Sequence, residues 1–525
     1  MDATRTTATQ QRYWGDLHKH MTGPGAPIAE MGNTLTAARA HLDFCAVYCY
    51  PFEHYEQGTG LRVETTDHRS QFDEWWARVE EHAREYNEPG SFVTFPAYEW
   101  HGDRRRWGDH HVVYRKPGNP LDGTNDVREL SEALRSRPAI LIPHHTGYRV
   151  GERGKDWAAH DPALSPVMEI YSTHGSSEGV DTPVPMRFNR SMGPRTAGGT
   201  FHDALARGHR LGVIASNDGP GVPGAWNRGL MGVWADELSR SAIWEAIGSR
   251  RTYGVTGDRI TLWWSIDDTP MGSVTDVPTP GRSRAEIQID CPRKLDRVEL
   301  LRNGTVVRNH VQQATIPAEA RPGRYRILVE FGWGPTTDYA PFLRTDVEWD
   351  GSIRLTGGTL HDVAPRFVGS AQSFTITDNA CDFTLLTSRD EPSGPLPEAV
   401  SRSDRQGLIV EFEADSSTEI SVELKGFEGG TFTLSDLLSG PQLIVQYDEA
   451  ADLLEQVGVP VDALGNMDRR YHVSPKIKLH RPHPVTACSA TISWSIDPAP
   501  GDAYYVRASQ IDGQYAWSSP IWFDL

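Results

Sequence analysis

Between residue 13 and about residue 255, short apolar runs alternate with amphipathic stretches. The runs at 42–47, 92–95, 139–142, 167–171 and 211–215 are nearly continuous, the pattern of strands buried on both faces. Between them Phe72, Trp75, Trp76, Val79, Ala83 and Tyr86 recur at the spacing of one helix face. A second helical pattern runs from Ser239 through Ile243 and Ile247 to Arg250. Such alternation predicts a parallel α/β sheet, open or closed into a barrel, covered by helices.

Past about residue 256 the period shortens to two. Alternation at 284–290, 297–301 and 504–510, with Asn303-Gly304 and Asp512-Gly513 at strand ends, predicts antiparallel hairpins of a β-sandwich. The stretch 333–480 is rich in Gly, Ser, Asp and Pro. It carries further β-like runs at 407–414 and 418–424 and one helical segment near 448–457. The expected organisation is a metal-binding domain at 1–255, then a mostly antiparallel β module at 256–525 with an inserted or elaborated region at about 333–480. At 525 residues the chain is too long for a single core.

Composition narrows the function. A net charge of −18 argues against a nucleic-acid partner, which requires clustered Lys and Arg. The expected partner is a small-molecule substrate, anionic ones included. Five scattered cysteines read as free thiols of a reducing cytosol, so a cytoplasmic location is expected. Residues 1–11 are polar and no apolar run approaches membrane-spanning length, so no membrane is expected.

The chemistry collects at the ends of the apolar runs. Read as a strand, the segment YWGDLHKH at 13–20 puts His18 and His20 on one face. Asp16 lies below them, as the acidic partner expected to fix the tautomer of the nearest ring. The run at 92–95 leads to Glu99, that at 139–142 to His144 and His145, that at 167–171 to His174, and that at 211–215 to Asp218. His110 and His111 follow Glu99 closely enough to fold over the same rim. In parallel α/β folds this edge carries function. His145 is expected as a proton donor to the leaving group or as support behind the ligands. His174, followed by small residues, is expected to face substrate. Arg149 is either an anion clamp or a solvated loop cation. Cys49 reads as a small strand-end residue rather than a nucleophile, and Arg251 and Arg259 as interdomain ion-pair partners.

The segments GDLHKH, DFCAV, PAYEW, IPHH, MEIYSTHGSSE and IASND resemble the motif series of the PHP (polymerase and histidinol phosphatase) metallohydrolase superfamily. RRTYGVTGDRITLWW at 250–264 and the ending YYVRASQIDGQYAWSSPIWFDL are similar to a long subgroup with a C-terminal β module. The resemblance covers the first 260 residues or so well, the last stretch moderately and the central β region poorly. It implies a distorted (β/α)7 PHP-like barrel that typically holds three metals. By that resemblance the first metal takes His18, His20, Glu99 and Asp218. The second takes Glu99 as a bridge, His110 or His111 with His110 preferred, and His144. Three positions depart from the family: Cys49-Tyr50 stands for Asp-His, Asp218-Gly219-Pro220 for Asp-x-His, and Ala26 for a histidine. Those are the family's third-metal ligands, and their joint absence implies a two-metal centre, with His54 as a potential substitute ligand. Mixed imidazole and carboxylate donors suit Zn, Mn or Fe. The implied function is a metal-dependent hydrolase that activates water between two divalent ions, on a phosphoester, or alternatively on a C–N or C–C bond. A reading of another class is a non-catalytic glycan- or protein-binding protein with a degenerate metal site.

Overall fold

The computed structural model describes residues 10–21, 30–51, 53–55, 62–64, 70–186, 193–219, 222–277, 283–317, 319–335, 346–369, 372–388, 405–456, 458–460 and 467–524. Among the described residues strand makes up 43% and helix 18%, so sheets dominate where alternating strand and helix was expected. Among the described residues no closed (β/α)7 barrel is evident.

Three strands of the main sheet, Gln11–Asp16, Phe44–Cys49 and Val93–Trp100, are parallel. Their neighbours are not. Val93–Trp100 pairs antiparallel with His110–Tyr114, which pairs antiparallel with Ala139–Pro143. On the other side Gln11–Asp16 pairs antiparallel with Leu230–Ala235, and that strand with Thr252–Val255. The reason is clearest after Trp100. The connection to His110 contains only the one-turn helix Arg104–Trp107, closed by Gly108 at φ 74°. That is too short for the crossover a parallel partner needs. A separate parallel pair, Val167–Ser172 with Gly212–Ala215, touches Ala139–Pro143 on one side and Thr252–Val255 on the other. Helix Ser70–Glu85 buries Phe72, Val79 and Ala83 against the parallel strands. Helix Arg240–Gly248, capped by Ser239, buries Ile243 and Ile247. The paired tryptophans pack inward: Trp76, Trp263 and Trp264 are buried and Trp75 lies against the same core.

The C-terminal strands do not build a separate sandwich. Tyr515–Ser518 adds to Thr252–Val255, and Ala503–Gln510 pairs with Tyr515–Ser518, Ile521–Asp524 and Leu295–Arg302. Leu295–Arg302 turns into Thr305–Val311 through Asn303 (φ 50°) and Gly304 (φ 83°), the left-handed pair a tight hairpin requires. One apolar core therefore runs from Phe44 and Val93 to Val298, Val506 and Phe523, across the boundary expected near residue 255.

A second core lies within the inserted stretch. Two sheets, one containing Gly323–Gly332, Arg405–Ala414 and Lys476–Leu479, the other Val347–Thr356, Ala380–Thr387 and Glu419–Leu424, enclose Phe331, Trp349, Phe383 and Phe412. This sandwich is anchored by Arg366, whose Nε donates to Asp258 at 2.7 Å and which also reaches Asp512. Its guanidinium lies 5.0 Å from the Trp226 ring. Arg251 and Arg259, expected in that role, donate instead to the carbonyls of Met271 and His41. The five cysteines are buried and free. No described helix is long and apolar enough to cross a membrane.

Candidate metal centre

The first strand ends at Asp16, so His18 and His20 stand just beyond it rather than on it. Asp16 is spent on backbone: it accepts from the amides of His18 (3.0 Å), Asn217 (3.3 Å) and Gly224 (2.7 Å). Burial pushes its carboxyl up to about 6 against those bonds. It therefore ties the His18 turn to the Asp218 loop and does not meet an imidazole ring. That ring partner is Glu169, whose longer side chain reaches Nδ1 of His18 at 2.9 Å from strand Val167–Ser172.

Glu99 is the hub. Its Oε2 lies 2.8 Å from His20 Nε2 and 3.3 Å from His18 Nε2. Its Oε1 lies 2.7 Å from His101 Nε2 and 3.3 Å from His144 Nε2. Burial pushes this carboxyl up, but the rings of His101, His144 and His18 hold it well below the usual range. Asp218 also faces two ways. Its Oδ1 is 3.4 Å from His18 Nε2, and its Oδ2 is 3.4 Å from His174 Nε2. Burial, with the carboxylates of Glu169, Glu99 and Asp109, drives Asp218 well up despite His18.

Of the adjacent pair, His111 and not His110 joins the cluster. The strand register sets Glu99 opposite His111 and Trp100 opposite His110, and successive side chains leave opposite faces. The His111 ring centroid lies 4.6 Å from that of His18 and 5.3 Å from that of His144. His110 instead faces Lys155 Nζ at 2.9 Å and the Gly108 carbonyl at 3.2 Å. His145, at φ 32°, turns its Nε2 to Asp109 Oδ2 at 3.0 Å. Asp109 is in turn gripped by Arg104 and Arg153. His174 Nδ1 is 2.8 Å from the Tyr148 hydroxyl. Arg149 is exposed, and Arg153 is the arginine of that loop that reaches inward. Ala26 and the side chain of His54 lie outside the described residues.

These residues fit a divalent cation. Ligand atoms of His18, His20, Glu99 and Asp218 lie within 4.8 Å of one another, as do those of His18, His111 and His144. Both ring nitrogens of His111 and Nδ1 of His144 are buried without a hydrogen-bond partner among the described residues. Leaving a buried polar atom unpaired costs about 1–3 kcal/mol, which a bound cation removes. The donors are imidazole and carboxylate, suited to first-row divalent ions. Cys49 supplies no thiolate, because burial pushes its thiol well up. His101, Asp109, Tyr148, Lys155 and Glu169 were not anticipated. The sequence held a signal for two of them: His101 follows Glu99 at strand period, and Glu169 is a lone acid inside an apolar run.

The model of the family described as "Protein of unknown function (DUF3604)" matches residues 33–132 and 222–265. A relative from Chlamydia pneumoniae, described as an uncharacterized protein, is 25% identical over 317 residues, covering 56% of this chain and 48% of its own length. One from Chlamydia muridarum is 24% identical over 320 residues, covering 57% and 49%. The chain thus spans about half the length of the curated relatives it matches. Among solved structures, a two-domain protein from Bacteroides vulgatus containing a predicted PHP-like metal-dependent phosphoesterase is similar at 11% identity and a TM-score of 0.29. That match covers 81% of this chain and 95% of the other. PsfC from Pseudomonas syringae is similar at 14% identity and a TM-score of 0.23, covering 42% and 82%. Neither likeness is close enough to assign a fold.

Proposed function

We propose that this protein is a metal-dependent hydrolase of the PHP type, with two divalent cations bridged by Glu99 and a phosphoester as substrate. The observation that carries the reading is the division of Glu99, one oxygen toward His18 and His20, the other toward His144. One cation would be held by His18, His20, Glu99 and Asp218, the other by Glu99, His111 and His144. Bound there, the ions supply an acidified water and polarise the oxygen of the scissile bond.

The chain's own residues do the positioning. Glu169 accepts from Nδ1 of His18, which leaves Nε2 with its lone pair toward Glu99 and Asp218. Asp16 fixes the backbone on both sides of the centre through three amides. The Tyr50 ring lies 4.2 Å from that of His20 and 4.5 Å from that of His101, and with buried Tyr48 it walls the centre from bulk water.

The direct test is hydrolysis of bis(p-nitrophenyl) phosphate by the full chain. Turnover that a chelator abolishes and Mn²⁺ or Zn²⁺ restores is the expected result. Ion-loaded protein that is inert toward this diester and toward a p-nitrophenyl monoester would overturn the choice of phosphoester.

A further inference from the structure

The two-cation reading does not use the second oxygen of Asp218, which accepts from the Ser172 hydroxyl at 3.3 Å and faces His174 at 3.4 Å, with His145 close beside them. We propose that His145, His174 and Asp218 form a further divalent-cation subsite, built from residues other than the three histidines this sequence lacks. The subsite rests on the dinuclear reading only through Asp218, whose Oδ1 serves one centre and whose Oδ2 faces the other.

Ligand atoms of the three residues lie within 4.8 Å of one another, and the two ring centroids are 4.6 Å apart. All three side chains are buried, at 2%, 5% and 6% exposure. Each ring is oriented by a group behind it, as in metal-ligating histidines. Asp109 accepts from Nε2 of His145, which leaves Nδ1 as the basic nitrogen, and that atom has no hydrogen-bond partner among the described residues. Tyr148 meets Nδ1 of His174, which turns Nε2 toward Asp218 Oδ2 at 3.4 Å. That separation is long for a charge-assisted hydrogen bond and leaves the pair loosely joined without an ion.

The backbone points to the same residues. His145 and Asp218 both adopt left-handed φ, 32° and 47°, a conformation that non-glycine residues keep where the surroundings enforce it. A competing set, Asp109 with His144 and His145, has its ligand atoms equally close, but Asp109 is already neutralised by Arg104 and Arg153. Two imidazoles and one carboxylate leave open coordination positions, so the subsite would take water or an anionic oxygen of substrate.

The test counts ions in the full chain loaded with Mn²⁺ and freed of excess. Wild type is expected to hold about three per chain and His174→Ala about two. In Mn²⁺ titration Tyr148→Phe, which keeps the packing, should weaken the last ion about tenfold or more and leave the others unchanged. Two ions in wild type and still two in His174→Ala overturn the subsite alone. A fall from two to one keeps the subsite and overturns the dinuclear assignment. An ion-free wild type overturns both. If His174→Ala fails to fold, Tyr148→Phe decides, and unchanged affinities for every ion overturn the subsite.

Discussion

The histidine-rich end of the mixed sheet and the inserted sandwich are both buried β structure, yet they treat buried polar groups differently. In the sandwich Arg326 donates to Glu411 at 2.7 Å, and Trp349 donates to Thr387 at 2.9 Å. Those pairings satisfy charge and hydrogen bonds at once. At the other end Glu99, Glu169 and Asp218 crowd together, while both ring nitrogens of His111, Nδ1 of His144 and Oε1 of Glu169 find no partner among the described residues. Folded proteins pair most buried polar atoms, so a concentration of exceptions marks a place kept for something else. The unpaired groups gather at the sheet end.

That contrast can be broken most forcefully by taking the ions away. Chelation should destabilise the mixed-sheet region by about 4 kcal/mol for each ion present at a thousand times its dissociation constant. Calorimetry should then show that transition moving down while the sandwich stays in place; an unmoved first transition contradicts the account. The converse perturbation is Trp349→Ala, which empties a fully buried position of the sandwich core. It should cost about 3–5 kcal/mol there and leave the ion content unchanged, as elemental analysis would read. Loss of ions in this variant would mean that the two regions are coupled.

Acid offers a milder probe. Burial, with Lys155 and His209 nearby, pushes His160 down to about 3, and burial beside Arg293 and Lys294 does the same to His483. The unfolded chain takes up these protons near pH 6.5, whereas the folded one does not until about pH 3. Stability contributed by the neutral rings is therefore complete above pH 6.5 and is lost as pH falls through that window. The loss should be about 1 kcal/mol per pH unit for each ring, visible in denaturant midpoints between pH 6.5 and 5. A midpoint that does not move over that range contradicts the buried neutral rings.

Much of the clustering was legible because metal-capable residues end apolar runs, a local feature. Glu99, His144, His174 and Asp218 needed no knowledge of pairing partners. What failed was what depends on partners. His110 and His111 differ only in which face they leave, and that is set by the register against Glu99. Asp16 and Glu169 exchanged expected roles because side-chain reach and three distant amides decided between them. Nothing in 515–518 announces that it extends the sheet at Thr252–Val255, so strands that complete one core read as the start of another.

The central claim is a carboxylate shared by two cations, and Glu99→Gln tests it most directly. The amide keeps the shape and removes the charge both sites use. Elemental analysis of the folded variant should find the Glu99-bridged ions lost together; ion content equal to wild type, or loss of one bridged ion with the other retained at full affinity, would contradict it.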